Sequence, residues 1–496
     1  MSYGYSGPPC PAPFNLAAHV LAAGARTPGK LALDWIGRAR WTFEELTADI
    51  LGTATGLARL TAPGDMILLR LGNTPDFPIA YLAALAADRV PIPTSAALTE
   101  AEVTTMTQGL PITLTLRDPE VACPDHLKQL DIESLRALRA EPPAPFTQGD
   151  PERLGYVVFT SGTSGTARAV AHAHRAIWAR QMMMDGWYGL KPDDRVLHAG
   201  AFNWTYTLGT GLMDPWTRGA TALIPPPGTA PADLPALLAE TGATIFAAAP
   251  GVYRQALRGP VPALPALRHG LSAGEKLPEA TRAAWQEATG TPIFEAFGMS
   301  ECSTFISGSP TRPAAPGTLG APQPGRAVAI LGPDGQVPPG TQGTIAVHRS
   351  DPGLMLGYLN APEETAARMQ GDWFLTGDTG TEDQKGFIRF DARADDMMNA
   401  GGYRVSPLEV EAALSGAPGV SAVACTEVQV KSDASVIAAF YTAAHALDES
   451  ILRAYAERKL ARYKHPRLYV HVSALPTGAN GKILRRALRE EWKARN

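Results

Sequence analysis

The chain has 496 residues, 45% of them hydrophobic, and a formal charge of −4 at pH 7. That length exceeds what one hydrophobic core organises, so at least two domains are expected, and the mildly acidic balance excludes a general pull toward nucleic acid or an anionic membrane. Cys10, Cys123, Cys302 and Cys425 are too widely spaced for a metal site or a disulfide framework, the first residues lack the pattern of a signal peptide, and no apolar run is long enough to cross a bilayer, so a soluble, cytoplasmic protein with reduced thiols is expected.

Residues 42–60 have helical spacing, 65–70 form a strand candidate and 79–87 are helical again, a rhythm of α/β layers with partly parallel sheets. The apolar stretch 154–159 leads into FTSGTSGTARAV at 159–170, a run of hydroxyl residues and glycines that holds Arg168 near its end. Such a loop presents backbone N–H groups and hydroxyls to phosphate oxygens, while the cation offsets their charge. Its glycines fit neither the Walker nor the dinucleotide-binding spacing. Short apolar runs at 194–198, 219–224, 243–248 and 267–272 read as further strands. From 327 the texture becomes β-like, with 327–331, a GPDG turn at 332–335, and 343–347.

A polar hinge candidate, DARADD at 391–396, precedes a helix over 407–414, strands over 420–427 and 436–441, and a helix over 449–460. The fold expectation is therefore α/β. A large N-terminal domain of layered α/β sheets, 1–391, includes a small β-rich subdomain at 327–391, and a small α+β C-terminal domain occupies 392–496.

Further segments carry candidate chemistry. LSAGEKLP at 271–278 sets a Gly-Glu turn after a strand, able to offer backbone groups to a flat base. FEAFGMSE at 294–301 ends in Ser300, suited to a phosphate, and Glu301, suited to magnesium, a hard cation that takes oxygen ligands. WFLTGD at 373–378 ends in Asp378, an acceptor for ribose hydroxyls. ARADDMMNAGGYRVSPLE at 392–409 and LPTGANGKILRR at 475–486 complete the set. His172 and His174, at strand-like spacing, read as surface or packing histidines, with a bound metal or a general base as the alternative, and Met182, Met183 and Met184 read as helix packing.

In order and chemistry these segments resemble the adenylate-forming superfamily of acyl-CoA synthetases, peptide-synthetase adenylation domains and firefly-type luciferases, over roughly 14–489. AGGYRVSPLEVE, SAGEKLP and FGMSE look most like the benzoate-type and medium-chain acyl-CoA ligases. The resemblance implies a two-step reaction with ATP, Mg²⁺ and coenzyme A. A carboxylate attacks the α-phosphate to give an acyl-adenylate and pyrophosphate, and the CoA thiol then displaces AMP. It implies that Thr160, Ser161, Gly162, Thr163, Ser164, Gly165 and Arg168 cradle the β- and γ-phosphates. Ser300 would hold the α-phosphate and Glu301 the magnesium. Gly274, Glu275 and the turn Ala296, Phe297 and Gly298 would flank adenine, with Asp378 and Arg393 on the ribose. Lys482 matches the family's catalytic lysine and Asp395 its hinge residue, about which the small domain rotates. Gly401, Gly402 and Tyr403 would then line the CoA tunnel.

Three departures from the family pattern stand out: Ala167-Arg168-Ala169 where Pro-Lys-Gly is usual, Thr477-Gly478 where a basic residue and threonine are common, and Ala392 before Arg393 where glycine is usual. None removes a group the chemistry requires. The acid pocket is expected from AFNWTYTLGTG at 201–211, with Phe202, Asn203, Trp204 and Tyr206, and from Ala273 and Phe305 in the family layout. That segment lacks an acidic residue to pair with an α-amine, which argues against amino acid substrates. The expected function is an AMP-forming carboxylate–CoA ligase for a small aromatic or medium-length apolar acid, a monomer or homodimer with small-molecule partners. The alternatives are a stand-alone adenylating enzyme that loads a carrier protein, and a nucleotide-binding regulator without turnover.

Overall fold

The computed structural model describes residues 4–161, 167–393, 396, 398–400, 403–431, 434–460, 462–478 and 483–495. The backbone divides into two compact units, one of residues up to 328 with 347–374, the other of 329–346 with the residues from 375 onward.

A nine-stranded sheet organises the first unit. Its order is Ala321–Pro322, Ser303–Ser307, Ile293–Met299, His269–Ala273, Ile245–Ala248, Arg195–Ala199, Thr221–Ile224, Leu31–Trp35, Ala39–Thr42. Neighbours from Ile293–Met299 to Leu31–Trp35 are parallel, and the pairings at both edges are antiparallel. Strands covered on both faces need apolar residues on both, which is why they read in sequence as short continuous apolar runs. On one face Phe246, Tyr253 and Trp285 meet with ring centroids 4.8–5.6 Å apart. On the other, Trp187, Tyr188 and Tyr206 pack with Leu271 and Ala273. The four strand expectations in 194–272 hold to within two residues.

A second, all-parallel sheet runs Val90–Pro93, Met66–Arg70, Ile112–Arg117, Gln129–Asp131. Helix Phe43–Leu60 opens with a capping box, in which Thr42 Oγ1 accepts from Glu45 N–H at 3.2 Å and Glu45 accepts from Thr42 N–H at 2.8 Å. Helix Asp76–Ala86 is buried on every side, so its sequence shows no polar stripe. Three antiparallel strands, Gly357–Tyr358, Ala167–Ala173 and Leu154–Ser161, form a third sheet.

The second unit contains strands of the β-rich segment and the α+β block. Strand Ile388–Arg393 pairs antiparallel with Trp373–Glu382. Hairpin Ala422–Lys431 and Ala434–Thr442 is joined in parallel by Leu468–His471, and helices Pro407–Leu414, Glu449–Lys459 and Arg485–Arg495 pack on the resulting sheet. The sequence expectation ends the N-terminal domain at 391, whereas by packing 329–346 and 375–391 group with the C-terminal residues. The cause is local: strand Ile388–Arg393 runs unbroken through that position, and the Asp391 carbonyl accepts from Ser406 Oγ. The first half of the polar run 391–396 is thus strand, with the Asp391 carboxylate accepting from Gln342 Nε2, Thr381 Oγ1 and Arg389 Nε at 2.9–3.0 Å. Among the described residues no helix is long and apolar enough to cross a membrane.

Candidate active site

In the hairpin of the third sheet Thr160 faces Arg168 and Ser161 faces Ala167. The loop between, with Gly162, Thr163, Ser164 and Gly165, lies outside the described residues, as does the side chain of Ser161. Arg168 is half-buried. Its Nε pairs with Glu364 at 2.5 Å, and its guanidinium lies 5.4 Å from the centroid of the Tyr358 ring.

The parallel strands His269–Ala273 and Ile293–Met299 end side by side, with Ala273 opposite Ala296. This brings the Gly274-Glu275 turn next to Ala296 and Phe297, as the sequence reading requires for groups that flank one flat base. Gly274 has φ +95°, and a Cβ there would stand 2.8 Å from the Trp204 ring, so the indole lies directly across the turn. Trp204 meets Tyr206 edge-on at 5.7 Å, Tyr206 stacks on Trp187, and its hydroxyl donates to the Leu271 carbonyl at 3.1 Å. Trp204, Tyr206, Ala273 and Gly274 therefore form one packed aromatic cluster. Phe202 instead packs on Phe77 and Phe305 on Phe297, with centroids 5.9 and 5.4 Å apart.

Beyond Met299 the chain turns back into Ser303–Ser307. A Cβ on Gly298 would stand 2.2 Å from the Ser303 carbonyl oxygen, so only glycine permits this close return. The turn carries Ser300 and Glu301. Glu301 is 7% exposed; its carboxylate accepts from the Tyr358 hydroxyl at 2.7 Å, and its carbonyl accepts from Met355 N–H at 2.8 Å. His172 Nε2 lies 2.7 Å from the Ser300 carbonyl oxygen, and its ring stacks on Tyr156 at 4.8 Å and 14°. Burial lowers His172 to about 4. A carbonyl only accepts, so the neutral ring carries its proton on Nε2 and donates. His174 is also buried and accepts from Leu16 N–H through Nδ1 at 3.1 Å. Of the two ordinary readings, surface or packing, both histidines are buried packing residues, and His172 in addition holds the Ser300 turn.

A narrow cavity of about 20 Å³ adjoins that turn, lined among others by Tyr156, His172, Arg180, Asn203, Ser300 and Ser303. Arg180 is 5% exposed and Asp214 not at all. The guanidinium donates to Asp214 through Nε at 2.7 Å and Nη2 at 2.6 Å, to Ser303 Oγ at 2.7 Å and to Thr210 Oγ1 at 3.2 Å, while the Tyr188 hydroxyl donates to Asp214. Sequence reasoning missed this network and missed Tyr358. The available signal was a charge set in apolar surroundings, as in GLMDPW at 211–216, because charges are fully buried only when paired.

In the second unit Asp378 lies opposite Arg393 on adjacent strands, the juxtaposition that two ribose-binding groups require. Asp378 is 7% exposed, and its N–H donates to Thr376 Oγ1, which in turn donates to the Ile345 carbonyl at 2.7 Å. Asp395, Gly401, Gly402 and Lys482, with the side chains of Arg393 and Tyr403, lie outside the described residues. Thr477 and Ile483, which flank the lysine in sequence, form an antiparallel bridge, and Arg485 is held by Glu411 at 2.7 Å.

Residues 20–359 match the AMP-binding enzyme family, and 409–482 match the AMP-binding enzyme C-terminal domain. The chain belongs to the AMP-binding enzymes. It is 30% identical to the human mitochondrial acyl-coenzyme A synthetase ACSM2A, over 97% of this chain and 92% of that protein. It is 29% identical to the 3-hydroxybenzoate–CoA ligase of Aromatoleum sp. (strain CIB), over 92% and 93%. Among solved structures it is similar to a benzoate CoA ligase from Burkholderia xenovorans LB400, with a TM-score of 0.84 at 27% identity over 96% of this chain and 100% of that one. It is likewise similar to the anthranilate CoA ligase AuaEII in complex with anthranoyl-AMP, at 0.88 and 25% over 98% and 99%. The adenylate-forming resemblance and the two-domain α/β expectation are borne out, and the enzyme falls among the acyl-CoA synthetases.

Proposed function

We propose that the enzyme is an AMP-forming carboxylate–CoA ligase acting on a small aromatic or medium-length apolar acid. The observation that carries this reading is the aromatic cluster of Trp204 and Tyr206 against Ala273 and Gly274. It stands at the carboxyl ends of parallel strands, where α/β sheets bind ligands. The absence of a carboxylate from 201–211 and the aromatic acids in the names of the relatives point the same way.

Attack of a carboxylate on a phosphate brings two anions together, so the largest gain comes from positive charge placed where negative charge develops. Lys482 supplies that charge as a point cation. Ser300 and the hydroxyls of the 160–165 segment hold the phosphates with Arg168, Asp378 and Arg393 hold the ribose, and Gly274, Glu275 and the 296–298 turn flank the base. Magnesium, when bound, neutralises phosphate oxygens. Glu301 suits it as a buried carboxylate whose orientation is held by the Tyr358 hydroxyl, a hard oxygen ligand of the kind magnesium takes. After adenylation, rotation about Asp395 brings Gly401, Gly402 and Tyr403 to the thiol path.

The test is ATP–pyrophosphate exchange and thioester formation across benzoate, substituted benzoates, short fatty acids and branched acids, with Lys482→Ala beside the unchanged protein. Acid-dependent exchange that Lys482→Ala abolishes, followed by consumption of the acyl-adenylate by free CoA, is the expected result. An acyl-adenylate that persists with CoA present would make the enzyme a carrier-loading one. Exchange without any acid would make it a regulator.

A further inference from the structure

Tyr358 sits where two parts of the site meet. Its strand Gly357–Tyr358 pairs with Ala167–Ala173, Tyr358 opposite Val170, and its N–H donates to Thr365 Oγ1 at 2.9 Å. Leu359 N–H donates to the Ala169 carbonyl at 2.8 Å, so the backbone on both sides of the ring is fixed to the strand that leaves the hydroxyl-rich loop. The ring is 5% exposed. One face lies under the Arg168 guanidinium, itself paired with Glu364, and the hydroxyl donates to Glu301.

A buried carboxylate needs donors, and a carboxylate that ligates a metal also needs a fixed orientation, because its free oxygen must point along one direction. Tyr358 meets both needs. Its hydroxyl donates to Oε1 and so fixes the plane in which the carboxylate presents its oxygens. Phenylalanine would fill the same space and carry the same cation–π contact with Arg168 while giving Glu301 nothing.

We infer that Tyr358 is a positioning residue: it orients Glu301 for the divalent cation of the ATP complex and fixes that carboxylate to the strand that carries Arg168. The inference rests on Glu301 being the metal carboxylate, the reading given above. Partners in the outer shell of a ligating group typically change metal affinity by 10- to 100-fold when removed, and one hydrogen bond to a single ligand belongs at the lower end, about tenfold.

The experiment is calorimetric titration of ATP into the full-length enzyme, without divalent metal and then across a MgCl₂ series, for the unchanged protein, Y358F, E301Q and the double variant. Expected is an ATP affinity without metal within about twofold of the unchanged protein in Y358F, and about tenfold more MgCl₂ needed for the metal-dependent tightening. Expected too is no further effect of Y358F in the E301Q background, since Tyr358 acts only through that carboxylate. Titration at low temperature, with near-ultraviolet circular dichroism as the check on folding, keeps the comparison on folded protein, and the double variant relieves the unpaired buried charge that a lone Y358F leaves. If E301Q loses the metal dependence and Y358F keeps it, the inference fails while the reading of Glu301 stands. If neither variant alters the metal dependence, the reading of Glu301 fails first. Equal weakening with and without metal would assign Tyr358 to Arg168 and overturn the inference.

Discussion

The sharpest test of how the site is supported is Asp214→Asn. Arg180 is 5% exposed and Asp214 fully buried, and the pair is joined by two hydrogen bonds at 2.6 and 2.7 Å. Neutralising the aspartate leaves a guanidinium in the interior without its counter-charge, and turns one acceptor oxygen into an N–H₂ group that faces other donors. Breaking a buried pair in this way costs about 3–5 kcal/mol, far above the value of an exposed pair. The first unit should therefore lose stability by about 4 kcal/mol, with a melting midpoint lower by about 5 °C for a unit of its size. Urea unfolding followed by tryptophan fluorescence measures it, since Trp187 and Trp216 lie in the cores on which the network borders. Arg180→Met combined with Asp214→Asn removes both charges and keeps an acceptor for Tyr188, so the double variant should fall short of the summed single losses by about 2 kcal/mol or more. The damage should also reach the chemistry. Arg180 holds Ser303 at 2.7 Å, and Ser303 sits at φ +61° two residues after Glu301, so a released arginine loosens the turn and raises KM for MgATP several-fold. A loss below about 1 kcal/mol for Asp214→Asn, or strict additivity in the double variant, would show that the pair is not the support described.

Three further outcomes follow from the same geometry. Burial lowers His172 to about 4 and His198 to about 3, from an ordinary value of 6.5. The unfolded chain then binds protons that the folded chain refuses, so stability is full above pH 7, falls as pH drops from about 6.5 toward 3, and levels off below. His198→Leu should reduce the slope of unfolding free energy between pH 6 and 5 by up to about 1.4 kcal/mol per pH unit, and an unchanged slope would mean that His198 is charged in the fold. Gly274→Ala forces a side chain into φ +95° and against Trp204, and should slow acyl-adenylate synthesis and shift the tryptophan emission; Trp204→Phe in the same chain should recover part of the rate, and no recovery would argue against a role for the Trp204–Gly274 contact in acid binding. His172→Leu leaves the Ser300 carbonyl without its donor, a cost of about 1–3 kcal/mol, and should lower ATP–pyrophosphate exchange by about tenfold. His172→Gln keeps an N–H within reach and should retain most of the rate, whereas equal rates in the two variants would leave His172 a packing residue alone.

Much of the fold is legible because the physics that sets it is local. The inner strands at 195–199, 245–248 and 269–273 are buried on both faces, so each appears as an apolar run bounded by polar or proline-rich stretches, and the helix Phe43–Leu60 announces itself by Thr42 and Glu45 three residues apart. The C-terminal helix Arg485–Arg495 escaped because its surface is charged almost throughout, with Leu488 as its buried residue, and strand Leu468–His471 because four half-buried residues make no clear alternation. The packing groups 375–391 with the C-terminal residues, where the sequence reading ends the N-terminal domain at 391, for the opposite reason. Polar residues signal a linker only when they are solvated, and Asp391 accepts three side-chain hydrogen bonds within its sheet.

The candidate site divides along the same line. Gly274, Gly298, Ser300 and Glu301 lie in short contiguous segments, since a turn that must pass close to another strand constrains consecutive residues, and their kinds can be read without knowing what surrounds them. The groups that hold those segments are of another kind. Tyr358 reaches Glu301 across 57 residues, Arg180 reaches Ser303 across 123, and His172 reaches Ser300 across 128. Each depends on sheet register, which a one-residue slip would reverse. A tyrosine in GYLN or a histidine in VAHAH thus acquires its role from where two sheets place their strands. It follows that variants which alter partner choice while preserving every motif, Y358F and D214N among them, probe the part of this enzyme that its sequence conceals.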